Sequence, residues 1–470
     1  MSTIIGREYE INELNEFIET PVSEFIVVYG RRRIGKTFLI RETFQQKFHF
    51  YLTGLANATN EQQLYNFAKT LSNYTNQKIT ITTNWTDAFD LLIKYLSKQK
   101  AKNKILFIDE MPWLDTAKSD FLTALEHFWN HWASARKDIK LIVCGSATSW
   151  ILNKLINNKG GLHNRVTQKI KLLPFTLYET ELFLLSKNIK WTHYEIIEVY
   201  MAMGGIPYYL NLLKKSKSAT QNIDFLFFNE KGLLKNEFEN LYASLFKYAS
   251  NYVKMVSVLS KKVKGLTRDE ILKSSKLANG GGNTKVLEEL EQNGFIRKYI
   301  PFGKKLKEAL YQVTDFYTLF YFNFIDGQKI DKDNYWITAA SSPKGNAWKG
   351  YSFEQLCMAH LPQMKSALGI SGIQSDVASW RNADAQIDVL IDRNDNAINI
   401  CEMKFSIKEY KIEKKYADNL RNKIGSFKEQ TKTRKSIFLT FVTTYGIIKN
   451  PYSSQLVTNS ITMDALFKDV

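Results

Sequence analysis

The chain has 470 residues, room for two to four domains at roughly 100–200 residues each. With 44% hydrophobic, 13% aromatic and 24% charged residues, and only 8 Pro and 23 Gly, it is excluded from the disordered and fibrous classes. Lys and Arg (64) exceed Asp and Glu (47) for a net charge of +17, which fits either a polyanionic partner, nucleic acid above all, or a lysine-rich surface habit. The opening MSTIIGREYE is charged and has no apolar segment behind it, so no secretory leader is expected. No run approaches the ~18 apolar residues of a membrane span. Cys144, Cys357 and Cys401 are too scattered for a disulfide framework or a zinc knuckle. The expectation is a cytoplasmic protein with no membrane partner.

Residues 1–215 alternate short apolar runs (FIVVYG, KILFIDE, KLIVCGSAT) with helical patterns, which predicts buried parallel strands with helical crossovers. Behind Phe25–Tyr29 comes Gly30-Arg31-Arg32-Arg33-Ile34-Gly35-Lys36-Thr37, and Phe38 continues the helical run FLIRETF. This is G-x-x-x-x-G-K-[ST] between a strand and a helix, the setting a phosphate-binding loop needs. The glycines let backbone N–H groups wrap phosphate at a helix N-terminus. Lys36 is expected to reach the β- and γ-phosphates of ATP, and Thr37 to offer its hydroxyl to Mg²⁺. Arg31, Arg32 and Arg33 suit phosphate contact, contact with a neighbouring subunit, or solvated charge at a loop tip.

Ile105-Leu-Phe-Ile ends at Asp109-Glu110 on a strand's C-terminal edge. Asp109 is expected to hold Mg²⁺ through water, and Glu110 to act as general base toward the attacking water. The strand Leu141–Gly145 leads to Ser146, either a sensor of the γ-phosphate or a helix cap. His127 and His131 are four apart, as on a metal-holding helix face or an ordinary amphipathic one.

IIGREYEINEL, YGRRRIGKTFLI, LFIDEMPWLD, CGSATSWILNKL, GLHNRVT, LLPFTLYET and GGIPYYL together resemble the archaeal-type AAA ATPases of the P-loop superfamily. The resemblance implies that Gly6, Arg7 and Glu8 lie near the adenine, that Arg165 is a candidate arginine finger acting in cis or in trans, and that Gly204–Leu210 caps the nucleotide from a helical lid. It also makes a homo-oligomer a reasonable expectation.

From 216 to 340 the pattern turns helical. Residues 247–307 hold 14 basic and 5 acidic residues, a local +9. ASNYVKMVSVLSKKV, a capping-box helix opened by Thr267 with Glu270, and NTKVLEELEQNG read as three helices. FIRKYIPFGKKLKEALYQV then reads as a hairpin. This is a winged helix-turn-helix pattern, and its lysines favour DNA phosphate contact. Glu288, Glu289 and Glu291 on the third helix oppose it.

Residues 345–470 return to mixed α/β. QIDVLID carries Asp388 and INICEMKF carries Glu402 and Lys404, a spacing that permits an antiparallel hairpin turning at Arg393–Asn396. Residues 402 and 404 share a face. Two carboxylates and a lysine at a strand end can hold Mg²⁺ and orient a water toward phosphate. The set resembles the PD-(D/E)XK nuclease core, which implies that Glu354, upstream in GYSFEQLCMAHL, completes the metal site. The whole layout resembles archaeal-type ATPases ending in the domain of unknown function 234.

The sequence thus predicts an α/β chain of three parts: a P-loop ATPase domain with lid (1–215), a helical and winged-helix domain (216–340), and a restriction-endonuclease-like domain (345–470). Its function is read as Mg²⁺-dependent ATP hydrolysis coupled to a nuclease-like domain acting on DNA, or as an ATP-gated switch that binds nucleic acid or protein without cleavage.

Overall fold

The computed structural model describes residues 4–157, 159–246, 248–262, 264–328 and 334–470. Lys247 and Val263, inside the basic stretch, lie outside the described residues. The chain divides into two compact units, Met1–Pro174 and Phe175–Val470.

The first unit is built on five parallel strands: β1 (Glu24–Tyr29), β2 (Phe50–Thr53), β3 (Lys104–Asp109), β4 (Ile139–Gly145) and β5 (Gln168–Lys171). Their order is β2-β3-β4-β1-β5. β1, β3 and β4 read as almost unbroken apolar runs because both sheet faces are covered, and Phe25, Val27, Ile108, Leu141 and Val143 are all buried. The helices Asn60–Thr75 and Trp85–Ser97 pack Phe67, Trp85 and Phe89 into the same core. In a parallel sheet every strand ends on one edge. Tyr29, Asp109 and Gly145 therefore end together, with β4 lying between β3 and β1.

In the second unit the helices Leu177–Ser186 and His193–Met203 open the chain, and Gly204 (φ 68°) ends the latter. These helices, grouped from the sequence with the ATPase domain, fall in this unit. His360 ties them to the helix Pro343–Ala359: its Nε2 accepts from Leu177 N at 3.0 Å, and Nδ1 meets Leu356 O at 2.8 Å. Burial holds that imidazole down at about 4, so it stays neutral and can accept. The aromatic helix Phe316–Phe324 is core, with Tyr317, Phe320 and Phe324 fully buried.

The basic stretch forms the helices Ala249–Ser260, Arg268–Ser275 and Gly281–Gln292, with the short antiparallel strands β6 (Leu266–Thr267), β7 (Ile296–Tyr299) and β8 (Leu310–Val313) in the order β6-β8-β7. The capping box is present: Glu270 N donates to Thr267 Oγ1 (3.3 Å) and Thr267 N to Glu270 Oε2 (2.7 Å).

The last sheet holds β9 (Ser375–Arg381), β10 (Gln386–Arg393), β11 (Ala397–Lys404), β12 (Ser436–Thr443) and β13 (Asn459–Thr462), ordered β13-β12-β11-β10-β9. β9, β10 and β11 run antiparallel, while β12 and β13 run parallel to β11. The helix carrying Glu354 starts at Pro343, well before Gly350, because Ser342 accepts from Gly345 N and proline occupies its first turn.

Candidate functional site

The phosphate loop is shaped by positive φ at Gly30 (146°), Arg33 (71°) and Gly35 (88°). A Cβ at Gly30 would stand 2.3 Å from Leu172 O, so only glycine fits. Ile34 is buried beneath the loop, while Arg32 and Phe38 are exposed and Arg31 is buried. Lys36 opens the helix Lys36–Thr43 and is buried, its Nζ donating to Gly30 O and Arg31 O at 2.9 Å each. Burial lowers its pKa, partly offset by Cys144, Glu110 and Asp109.

β3 delivers Asp109 to the same edge. Thr37 Oγ1 lies 3.1 and 3.0 Å from its two carboxylate oxygens. Burial pushes the Asp109 carboxyl up, against the hydrogen bonds of Cys144 and Thr37. Glu110 sits in the left-handed region (φ 46°), a strained backbone position. Its Oε2 accepts from Ser146 N (3.2 Å) and Ser146 Oγ (3.0 Å). Ser146 follows β4, the strand between those bearing the loop and Asp109, and it engages Glu110. The Gly6–Arg7 turn reaches this edge as well: Arg7 donates to Leu173 O, one residue from the carbonyl that backs Gly30.

Arg165 is placed elsewhere. It is exposed and precedes β5, and Thr167 N bonds Phe25 O at the start of β1. That is the N-terminal edge of the sheet, opposite the phosphate loop of the same chain. His127 and His131 stack at 5.0 Å between centroids on an exposed helix face. Among the described residues no group of three or more His, Cys, Asp or Glu is placed to hold a metal ion.

In the second unit, Val389 pairs with Cys401 across β10 and β11, so the next position sets Asp388 beside Glu402. The β9–β10 register shifts between Ile387 and Leu390, a bulge at Asp388. Bulges of this kind re-aim side chains. Glu354 joins them from its helix. Its pKa is raised to about 8, first by burial and then by the negative charge of Asp388. Lys404 Nζ lies 3.6 Å from Glu402 Oε2. The four expected residues therefore converge. Two others were missed: Tyr416 OH donates to Glu402 Oε2 at 2.7 Å, and Lys423 Nζ pairs with Glu402 Oε1. Their seven-residue spacing, two turns on one face of the helix Lys414–Thr431, is the signal that could have found them.

Thr37 and Asp109 form an all-oxygen donor pair that fits a hard divalent cation completed by phosphate. Glu402 does not fit one as arranged, since Lys423, Tyr416 and Lys404 already take its carboxylate.

Residues 4–213 match the family model described as an ATPase domain predominantly from Archaea. An uncharacterized protein of Methanocaldococcus jannaschii is 26% identical over 434 residues, 89% of this chain and 91% of its own length. A Walker-type ATPase of Pyrococcus abyssi superposes with a TM-score of 0.49 at 17% identity, covering 68% of this chain and 96% of its own. The ORC2 protein of Aeropyrum pernix, solved as ADPNP–ADP complexes, gives 0.40 at 14% identity, covering 67% and 92%. RuvB of Thermotoga maritima gives 0.35 at 14% identity, covering 65% and 92%. The family match supports an ATPase domain of archaeal type across residues 4–213.

Proposed function

We propose that this chain is a Mg²⁺-dependent ATP hydrolase whose second unit holds DNA. The observation that carries the ATPase part is the meeting of Lys36, Thr37, Asp109 and Glu110 on one sheet edge. Bound by Thr37 and Asp109, Mg²⁺ would neutralise charge on the phosphate oxygens. The N–H groups around Gly30–Gly35 cradle the phosphates, and Lys36 stabilises charge developing on the γ-phosphoryl group. Glu110, held by Ser146, orients a water for in-line attack and accepts its proton. Arg165, on the opposite edge, suits a homo-oligomer in which it reaches a neighbour's nucleotide.

The DNA part rests on the basic stretch, read as a winged helix. Two of the three acids that oppose phosphate contact are engaged internally: Tyr252 donates to Glu289, and Lys298 N to Glu291 (3.3 Å). That leaves the surrounding lysines to face a polyanion.

A second reading, DNA cleavage by a PD-(D/E)XK-like site, is favoured by the convergence of Glu354, Asp388, Glu402 and Lys404. The occupied carboxylate of Glu402 favours holding over cutting. One experiment addresses both. Phosphate release from ATP is followed with Mg²⁺ or EDTA and with plasmid DNA present, and the plasmid is then run on a gel beside one incubated with Lys404→Ala. Release that needs Mg²⁺ is expected; none at all would refute the ATPase. Nicking by the parent but not by the variant would establish cleavage.

A further inference from the structure

β4 reads Ile-Lys-Leu-Ile-Val-Cys-Gly, and every one of its residues is buried. From Leu141 to Gly145, Cys144 carries the only side chain that can donate a hydrogen bond. A cysteine in such a run ordinarily serves as a small apolar filler. The register gives this one a second part. β3 and β4 run parallel with Ile108 opposite Val143, so the next position sets Cys144 beside Asp109. The Cys144 thiol donates to Asp109 Oδ1 at 2.7 Å, and Glu110 N donates to the same oxygen at 2.9 Å.

The Asp109 carboxylate is thus gripped at Oδ1 by two donors that the strands themselves fix. Thr37 Oγ1 reaches both oxygens, and among the described residues Oδ2 accepts from Thr37 alone. The last torsion of an aspartate is broad, so a carboxylate without fixed partners turns readily. Two donors on one oxygen stop that rotation and keep the other oxygen on the side of the Thr37 hydroxyl. Cys144 is fully buried, so solvent takes no share in the bond.

We propose that Cys144 is a positioning residue of the ATPase: its thiol fixes the Asp109 carboxylate in the orientation that serves Mg²⁺ beside Thr37, and so sets the Mg²⁺ affinity of the nucleotide site. The inference rests on the reading of Thr37 and Asp109 as the Mg²⁺ pair. Cys144 acts only through Asp109. Hydrogen-bond partners of a metal ligand typically carry about 10–100-fold of a site's metal affinity. A thiol is a weak donor, which puts Cys144 at the lower end.

The test is fluorescence titration of the full chain with a mant-labelled, non-hydrolysable ATP analogue, over a range of Mg²⁺ concentrations and in EDTA. Cys144→Ala and Cys144→Val both remove the donor, one with a smaller side chain and one with a larger, so misfolding of either leaves the other to decide. Cys144→Ser keeps a donor, and a hydroxyl stays within bonding reach because Sγ stands at 2.7 Å. The Ala and Val variants should each raise the Mg²⁺ concentration for half-maximal binding about tenfold, and the Ser variant should stay within about twofold of the parent. Binding in EDTA should be the same for the parent and every variant, because Asp109 acts through the metal. Loss of binding in EDTA, or a Ser variant as poor as Ala, would mean that the thiol only fills space and would overturn the proposal. Parental Mg²⁺ curves for the Ala and Val variants would overturn it too, and leave the Mg²⁺ pair standing. A parent whose analogue binding ignores Mg²⁺ would overturn both.

Discussion

The two chemical clusters use the same ingredients, carboxylate and lysine at strand ends, and arrange them in opposite ways. At the nucleotide edge, Lys36 is kept off the carboxylates by two loop carbonyls, and Asp109 accepts from a hydroxyl and a thiol. In the second unit the lysines go straight to the acid: Glu402 is buried between Lys423, Lys404 and Tyr416. A cation held by neutral carbonyls is ready to exchange them for phosphate. A carboxylate already neutralised has little left to offer a metal ion, and most of its partners' energy goes into keeping the sheet and the helix Lys414–Thr431 together.

The sharpest way to break this contrast is to remove each lysine. Lys36→Ala should lower the rate of ATP hydrolysis on the order of 1,000-fold, the scale of a lost electrostatic contact to the reacting phosphate. Its melting temperature should barely move. Phosphate release within a few-fold of the parent would end the assignment. Lys423→Met should do the reverse, leaving hydrolysis intact and costing about 2 kcal/mol of stability, because Glu402 keeps a buried charge without its main partner. Adding Glu402→Gln to that variant should recover part of the loss in chemical denaturation. If Lys423→Met unfolds at the same denaturant concentration as the parent, the pair is not structural.

The smallest effect concerns Glu354. Its folded pKa of about 8 stands above the ordinary 4.5. The folded state therefore holds a proton that the unfolded chain gives up as pH rises through this window. Stability should fall between about pH 4.5 and 8 and level off above. Glu354→Gln should flatten that slope and be the more stable protein at pH 9 by about 1 kcal/mol. Parallel stability–pH curves for the two proteins would sink the idea.

The contrast also explains what could be read from the sequence. The nucleotide edge was legible because its residues sit within a few positions of a strand end, and a parallel sheet gathers strand ends whatever the crossovers do. Lys36, Thr37, Asp109 and Ser146 needed no long-range information. Asp388, Glu402 and Lys404 were legible for a similar reason, since one hairpin sets their register. What escaped came from tertiary packing. Tyr416 and Lys423 reach Glu402 from the surface helix after β11, and nothing local marks them. Cys144 was weighed only for a disulfide or zinc, yet its thiol donates to Asp109 because β4 lies against β3. Arg165 was named from resemblance, and only the topology shows that it lies across the sheet from its own phosphate loop.

The break after Pro174 has a consequence for how this chain could be cut and recombined. The family match runs on to residue 213, but the helices beyond 174 bury their faces against later segments. Tyr200 packs on Phe316 and His360, and Glu198 pairs with Lys349 at 2.7 Å. A fragment ending at 215 would carry two helices stripped of their cover, and one beginning at 216 would leave the cover empty. The compact unit is 175–470, so a graft that exchanges the C-terminal part must take the helices Leu177–Ser186 and His193–Met203 with it.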